Sequence, residues 1–307
     1  MINRRESFHS SGIEPVSIEE KPIAISAIAT EDWCRLRSLL KEQSILSLRR
    51  KAASLESKSL DSRTPGCRLV AMNNRRKLAS WLQGCIEQLF PNWTHRRHRN
   101  RWERQWINPE FSPFWKTDQP QKELVEATDS GWFPKNQRVI DVGCGKGEVS
   151  RWLATQGFAV LGVDYSHAAI ENCRRLSAGQ PNAPIFEVAD LCDEELRLER
   201  AFSLIDRGCF HRIVGNLRPV FARNIAYATV EGGHFLLLAG TFQDARVVNY
   251  SGVRSEQQLR EHVGEIFGNH FIIERAEPAL INARDDQEAT PAVAFWMVRK
   301  SKSPTPD

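Results

Sequence analysis

Val139-Ile140-Asp141-Val142 is an apolar run that ends in Gly143-Cys144-Gly145-Lys146-Gly147, with glycine at alternate positions. About 20 residues on, a second run closes on an acid, Gly162-Val163-Asp164, before Tyr165 and Ser166. A strand that feeds a glycine turn, followed by a strand ending in a carboxylate, is the nucleotide-binding half of a doubly wound α/β fold. In that fold the ligand lies across the strand ends. The spacing is not that of a dinucleotide site, where the pattern Gly-x-Gly-x-x-Gly brings a pyrophosphate onto the helix N-terminus. Here the sixth position is Glu148, a poor neighbour for phosphate, and Asp141 stands two residues ahead of the first glycine. The loop suits a ligand with a nucleoside, a positive end and no phosphate.

Periodicity extends this unit into a domain. Strands are expected at 137–142, 159–163, 185–188, 203–205 and 234–238, with helices at 147–156, 166–177 and 217–229 between them. Ser166 is placed to cap the second of these helices. A last helix at 255–267 precedes the runs 271–275 and 293–298, which read as an antiparallel hairpin on the sheet edge. Alternating strands and helices argue for a parallel sheet covered on both faces.

The run Asp141 to Gly147 resembles the first motif of class I S-adenosylmethionine-dependent methyltransferases. The resemblance continues through Gly162 to Ser166, Val188-Ala189-Asp190-Leu191, Asp206-Arg207-Gly208-Cys209-Phe210-His211 and Gly232 to Leu238. It covers roughly residues 100 to 300 and implies a Rossmann-like, seven-stranded, mostly parallel sheet. It also implies S-adenosyl-L-methionine as cofactor. The stretch Arg101 to Trp106, with Phe111-Ser112-Pro113-Phe114-Trp115, resembles the leading segment of small-molecule methyltransferases of the thiopurine and halide/thiol type. In those an aromatic stretch folds over the cofactor. The match is partial, since Lys116 stands where the family often carries an acid.

Each site candidate has a physical role. Gly143, Gly145 and Gly147 let the backbone pass close under the methionyl part, and Asp141 attracts its ammonium. Asp164 offers two oxygens to the ribose hydroxyls. Tyr165 presents a ring to the adenine, Asp190 accepts from the adenine amino group, and the backbone N–H of Leu191 meets the ring. Trp115 is a candidate cover, able to face the sulfonium by cation–π attraction and exclude water. Asp206 is a candidate to stabilise the sulfonium or hold an amine. His211 is the histidine placed as general base at the reaction centre. Asp206-Arg207-Gly208-Cys209 lacks the Pro-Pro-aromatic element of exocyclic-amine methyltransferases, which disfavours a flipped-base substrate.

Composition bounds the remainder. The chain has 307 residues, 41% of them hydrophobic, enough for one large α/β domain and an appendage. No apolar run is long enough for a membrane span, and the N-terminus lacks the apolar segment of a secretory signal. Seven cysteines, without a Cys-x-x-Cys pair, give neither a metal spacing nor a disulfide framework, so no metal and a reducing, cytoplasmic location are expected. Residues 1–104 carry 20 Lys and Arg against 11 Asp and Glu, and the remainder 22 against 27. The basic excess is therefore N-terminal. Residues 1–30 read as a flexible tail, 31–100 as a basic extension with helices at 31–55 and 72–90, 101–300 as the methyltransferase domain, and 301–307 as a tail. The run His95 to Arg101 reads as a solvated linker, with contact to an anion as the other possibility. The expected reaction is methyl transfer to a small-molecule acceptor, preferably a thiol or thioether sulfur. N- or O-methylation of a metabolite is the alternative. A further one is an RNA- or protein-modifying enzyme recruited by the basic extension.

Overall fold

The computed structural model describes residues 90–113, 120–241, 255–281 and 289–301. The expected tail at 1–30, the helix at 31–55, the helix at 72–90 up to residue 89, Trp115 and residues 302–307 of the second tail lie outside the described residues.

Among the described residues seven strands form one sheet in the order β3-β2-β1-β4-β5-β7-β6. They are β1 (Val139–Val142), β2 (Val160–Asp164), β3 (Ile185–Val188), β4 (Ala201–Arg207), β5 (Thr229–Gly240), β6 (Phe271–Ile281) and β7 (Thr290–Arg299). The first five pair in parallel, while β7 runs antiparallel to both β5 and β6. The sheet is thus mixed, and the C-terminal hairpin inserts its second strand next to β5. Strand order reverses on either side of β1, which lies between β2 and β4 with Val142 opposite Val163 and Asp206. A crevice opens at the carboxyl ends of strands at such a reversal. The glycine turn lies there.

Helices α1 (Pro91–Ile107), α2 (Lys122–Asp129), α3 (Glu148–Thr155), α4 (His167–Ser177), α5 (Arg218–Ala228) and α6 (Glu256–Phe267) accompany the sheet. Side chains alternate across a strand, so β1 divides its residues between two cores. Ile140 and Val142 join a cluster with Phe221, Phe235 and Phe267, and Val139 joins another with Leu153, Leu236 and Trp296. Burial on both faces explains why β1 reads as a continuous run instead of alternating.

Three elements differ from the sequence reading for physical reasons. β5 starts at Thr229, because the Gly232-Gly233 pair that resembles a turn is carried within the strand beside a register shift at Ala201 and Ser203. β6 continues past Pro278, which an edge strand tolerates because one side of it pairs with no neighbour. The largest difference is α1. Pro91 opens this helix where a helix end was expected, in keeping with the fit of proline to the first helical turn. The run His95 to Arg101 is therefore helical, and a boundary at residue 100 falls inside the helix.

Phe267 is fully buried, with Phe210, Phe221, Phe235 and Phe271 at ring-centroid distances of 5.2, 6.4, 5.7 and 6.1 Å. Phe267→Ala is expected to remove about 3–5 kcal/mol of stability. Urea unfolding checks this as a lowered midpoint at unchanged slope. A loss below about 1 kcal/mol contradicts the packing described here.

Candidate functional site

The three glycines of the turn have φ of 66°, 56° and 70° at Gly143, Gly145 and Gly147, in the left-handed region where only glycine is unstrained. Space makes the same demand at Gly143. An added Cβ there would lie 2.5 Å from Cys209 Cβ and 2.6 Å from Cys209 Sγ, so the β1 turn and the turn after β4 are in direct contact.

Asp164, the last residue of β2, ties the turns together. Its Oδ2 accepts from Gly145 N–H at 3.1 Å and its Oδ1 from Ser166 N–H at 2.9 Å. Burial pushes its carboxyl up to about 6, against the lowering effect of those two hydrogen bonds. Asp141 is buried within β1 and accepts from Ser150 Oγ at 2.6 Å, and burial raises it likewise to about 6. Ser166 caps α4, its Oγ accepting from Ala169 N–H at 3.1 Å.

An open cavity joins these residues. Its wall includes Asp141, Gly143, Gly145, Asp164, Tyr165, Asp190 and Leu191. Gly147 instead starts α3 and packs against Phe186 and Cys173.

Asp206 does not line the cavity. It is fully buried in β4, and its carboxylate accepts from Cys209 N–H at 2.7 Å and Phe210 N–H at 2.8 Å. Burial pushes it up to about 7. In place of the sulfonium or amine contact expected for it, Asp206 shapes the turn that carries Cys209 and His211.

His211 does reach the cavity wall. Its Nδ1 accepts from Gly240 N–H at 2.9 Å, which assigns the proton of the neutral ring to Nε2. Burial, then the charges of Arg212 and Arg218, hold its pKa well below the usual value. The general-base role does not fit this tautomer, because the basic lone pair is already engaged. Nor is His211 alone. His95 and His98 share the cavity wall, and burial together with neighbouring charges lowers His98 to about 4.

These two histidines belong to α1, whose inner face meets all three cradle turns. His95 and Arg99 reach Asp190 at 2.8 and 3.1 Å, and Glu103 accepts from Ser166 Oγ at 2.6 Å and Ala168 N–H at 3.2 Å. Trp106 lies over the glycine turn, 3.4 Å from the point a Gly145 Cβ would occupy. Residues 95, 99, 103 and 106 share one helical face. That spacing is present in the sequence but carries no hydrophobic stripe, so composition alone made the segment a linker. Trp102 and Phe111 pack around Trp106, at 6.1 and 5.1 Å between centroids, and Lys146 Nζ donates to Phe111 O at 2.8 Å. The leading segment thus folds onto the glycine turn.

His95, Asp190 and Cys192 bring nitrogen, oxygen and sulfur atoms within 4.8 Å of one another. Hydrogen bonding accounts for this grouping. Arg99 places a guanidinium on the same Asp190 oxygen, where it repels a metal cation, and burial raises the Cys192 thiol.

Residues 139–233 match the family model described as "Methyltransferase domain". A 2-heptyl-1-hydroxyquinolin-4(1H)-one methyltransferase from Mycobacteroides abscessus is 27% identical over 179 residues, 57% of this chain and 75% of that protein. The ribosomal RNA small subunit methyltransferase C of Alcanivorax borkumensis is 45% identical over 47 residues, 15% of this chain and 14% of that one. A solved structure described as "Conversion of a Disulfide Bond into a Thioacetal Group during Echinomycin Biosynthesis" is 25% identical. It covers 62% of this chain and 87% of its own, with a TM-score of 0.53. The family match opens on the first residue of β1 and ends within β5, so it spans the strands and turns that build the cradle and, with these relatives, supports an S-adenosylmethionine-dependent methyltransferase.

Proposed function

We propose that the chain methylates a small molecule, preferably on a thiol or thioether sulfur. The observation that carries this reading is the tautomer of His211. A ring whose Nδ1 accepts the Gly240 N–H has no lone pair left for a proton from the acceptor. A sulfur nucleophile needs little or no base, so the site suits it. Such an acceptor meets Trp102, Ile213, Ile281 and Thr290 on the cavity wall beyond the cradle. The relative named for a hydroxyquinolinone supports a small acceptor, and the structure described for a disulfide conversion supports sulfur.

S-adenosylmethionine supplies an electrophilic methyl group when bound. The chain supplies binding, orientation and exclusion of water. Asp141 attracts the methionyl ammonium, Asp164 takes the ribose hydroxyls on lone pairs not used by Gly145 and Ser166, and Asp190 with Leu191 reads the adenine beside Tyr165. The fit is electrostatic. Asp141 and Asp164 are buried carboxyls raised by desolvation, and a cation entering the cavity offsets that cost.

Three outcomes follow. Asp164→Ala weakens S-adenosylmethionine binding at least about tenfold in calorimetry, roughly the loss of one charged hydrogen-bond partner. Unchanged binding rejects the ribose role. The affinity also depends on pH. Asp141 and Asp164 titrate near 6 without ligand and a cationic ligand favours their ionised forms, so binding releases protons. Affinity therefore rises with pH through about 6 and levels off above it, at up to about tenfold per pH unit for each group below its pKa. Asp141→Asn flattens part of that rise, whereas a pH-independent affinity rejects the electrostatic fit. For the acceptor, labelled cofactor is incubated with thiols, thioethers, amines, phenols and total RNA. Label is expected in the sulfur fraction, and label confined to RNA overturns the small-molecule reading.

A further inference from the structure

Under the cofactor reading above, Asp190 accepts the adenine amino group. A carboxylate has about four lone-pair positions. The chain already directs three donors at this one. His95 Nε2 is 2.8 Å from Oδ2 and 3.1 Å from Oδ1, Arg99 Nη1 is 3.1 Å from Oδ2, and Cys192 N–H is 3.0 Å from Oδ1. An ionised carboxylate can only accept, so His95 carries a proton on Nε2. The same two α1 side chains frame Tyr165, the ring expected against the adenine. The imidazole stands edge-on to it at 6.1 Å and 81°, and the guanidinium carbon lies 5.9 Å from its centroid. Both residues expected on the purine are thus held from a third element, which comes from before β1 in the chain. The donor count leaves about one Asp190 lone pair for one more N–H.

We propose that His95 and Arg99 are positioning residues for purine recognition: they fix the Asp190 carboxylate so that its remaining lone pair meets an exocyclic amino group at purine position 6. Docking of α1 and binding of the adenine are then one coupled event. A ligand with an amino group at that position is selected over its 6-oxo counterpart, because an oxo group turns an acceptor toward an acceptor. The inference rests on the cofactor reading, from which its test separates it.

The test is calorimetric titration of the full chain with S-adenosylhomocysteine and with its 6-oxo analogue S-inosylhomocysteine. Variants are His95→Ala, His95→Gln, Arg99→Ala, Asp190→Ala and the double variant of His95→Ala with Asp190→Ala. The wild-type chain is expected to prefer the 6-amino ligand. His95→Ala loses about tenfold in affinity for it and shrinks the preference, whereas His95→Gln, which keeps an N–H donor, retains most of both. In the Asp190→Ala background, removing His95 changes affinity less than about twofold. A full tenfold loss in that background, or a preference unaltered by both His95→Ala and Arg99→Ala, overturns the positioning role while leaving the cofactor reading intact. If the wild-type chain binds neither ligand, the cofactor reading itself fails and this inference falls with it.

Discussion

Buried negative charge at the ends of adjacent strands is the constraint around which the site is arranged. Asp141 in β1, Asp164 at the end of β2 and Asp206 in β4 are each raised by burial, to about 6, 6 and 7. Their direct hydrogen bonds come from neutral donors: Ser150 Oγ, and the N–H groups of Gly145, Ser166, Cys209 and Phe210. Such bonds favour the charged form without overcoming desolvation. Arg207 is the nearby cation, close enough to Asp141 and Glu148 for their charges to act on it. A cradle of this kind disfavours phosphate and favours a ligand bearing a sulfonium and an ammonium. Charge, as much as glycine spacing, separates it from a dinucleotide site.

The fold explains why those carboxylates meet. The crevice forms where strand order reverses beside β1, and the three acids belong to β1 and its two neighbours. Gly143 lets the first turn lie against Cys209, and Asp206 holds that second turn from below. The contact between the turns is therefore as much a part of the cradle as the residues that face the ligand. A side chain at Gly143 has no room unless the β4 turn moves. That movement carries Cys209 and His211 with it.

Strands β1 to β3 were legible because their apolar runs are bounded by turn residues, and Ser166 was legible as a cap from its hydroxyl before an apolar helix. Asp141, Asp164 and Asp190 stand out in the sequence by their places within β1, at the end of β2 and just past β3. His211 was found for its position, but the tautomer that bears on its chemistry is set by Gly240, 29 residues away. Asp206 was ambiguous for a similar reason: nothing local says whether a strand-end acid faces the ligand or the turn behind it. Segment 91–107 was opaque. Its inner face is His95, Arg99, Glu103 and Trp106, polar or charged at three of four positions, so a search for hydrophobic periodicity passes over it. A helix that packs by hydrogen bonds to turns leaves a pattern of donors and acceptors, legible only once their partners are known.

That property changes the meaning of the basic N-terminal third. Charge alone groups residues 1–104 into one arm, and an arm of that kind invites removal as a recruiting device. Helix α1 divides the group. Its His95, Arg99 and Glu103 bond to the turns after β3 and β2, and Trp106 covers the turn after β1. A truncation at residue 104 therefore strips donors from Asp190 and an acceptor from the start of α4 along with the arginines. Lost activity after such a cut reports on the cofactor cradle and not on recruitment. The informative boundary lies before Pro91, where the arm can be removed while every α1 contact to the cradle remains.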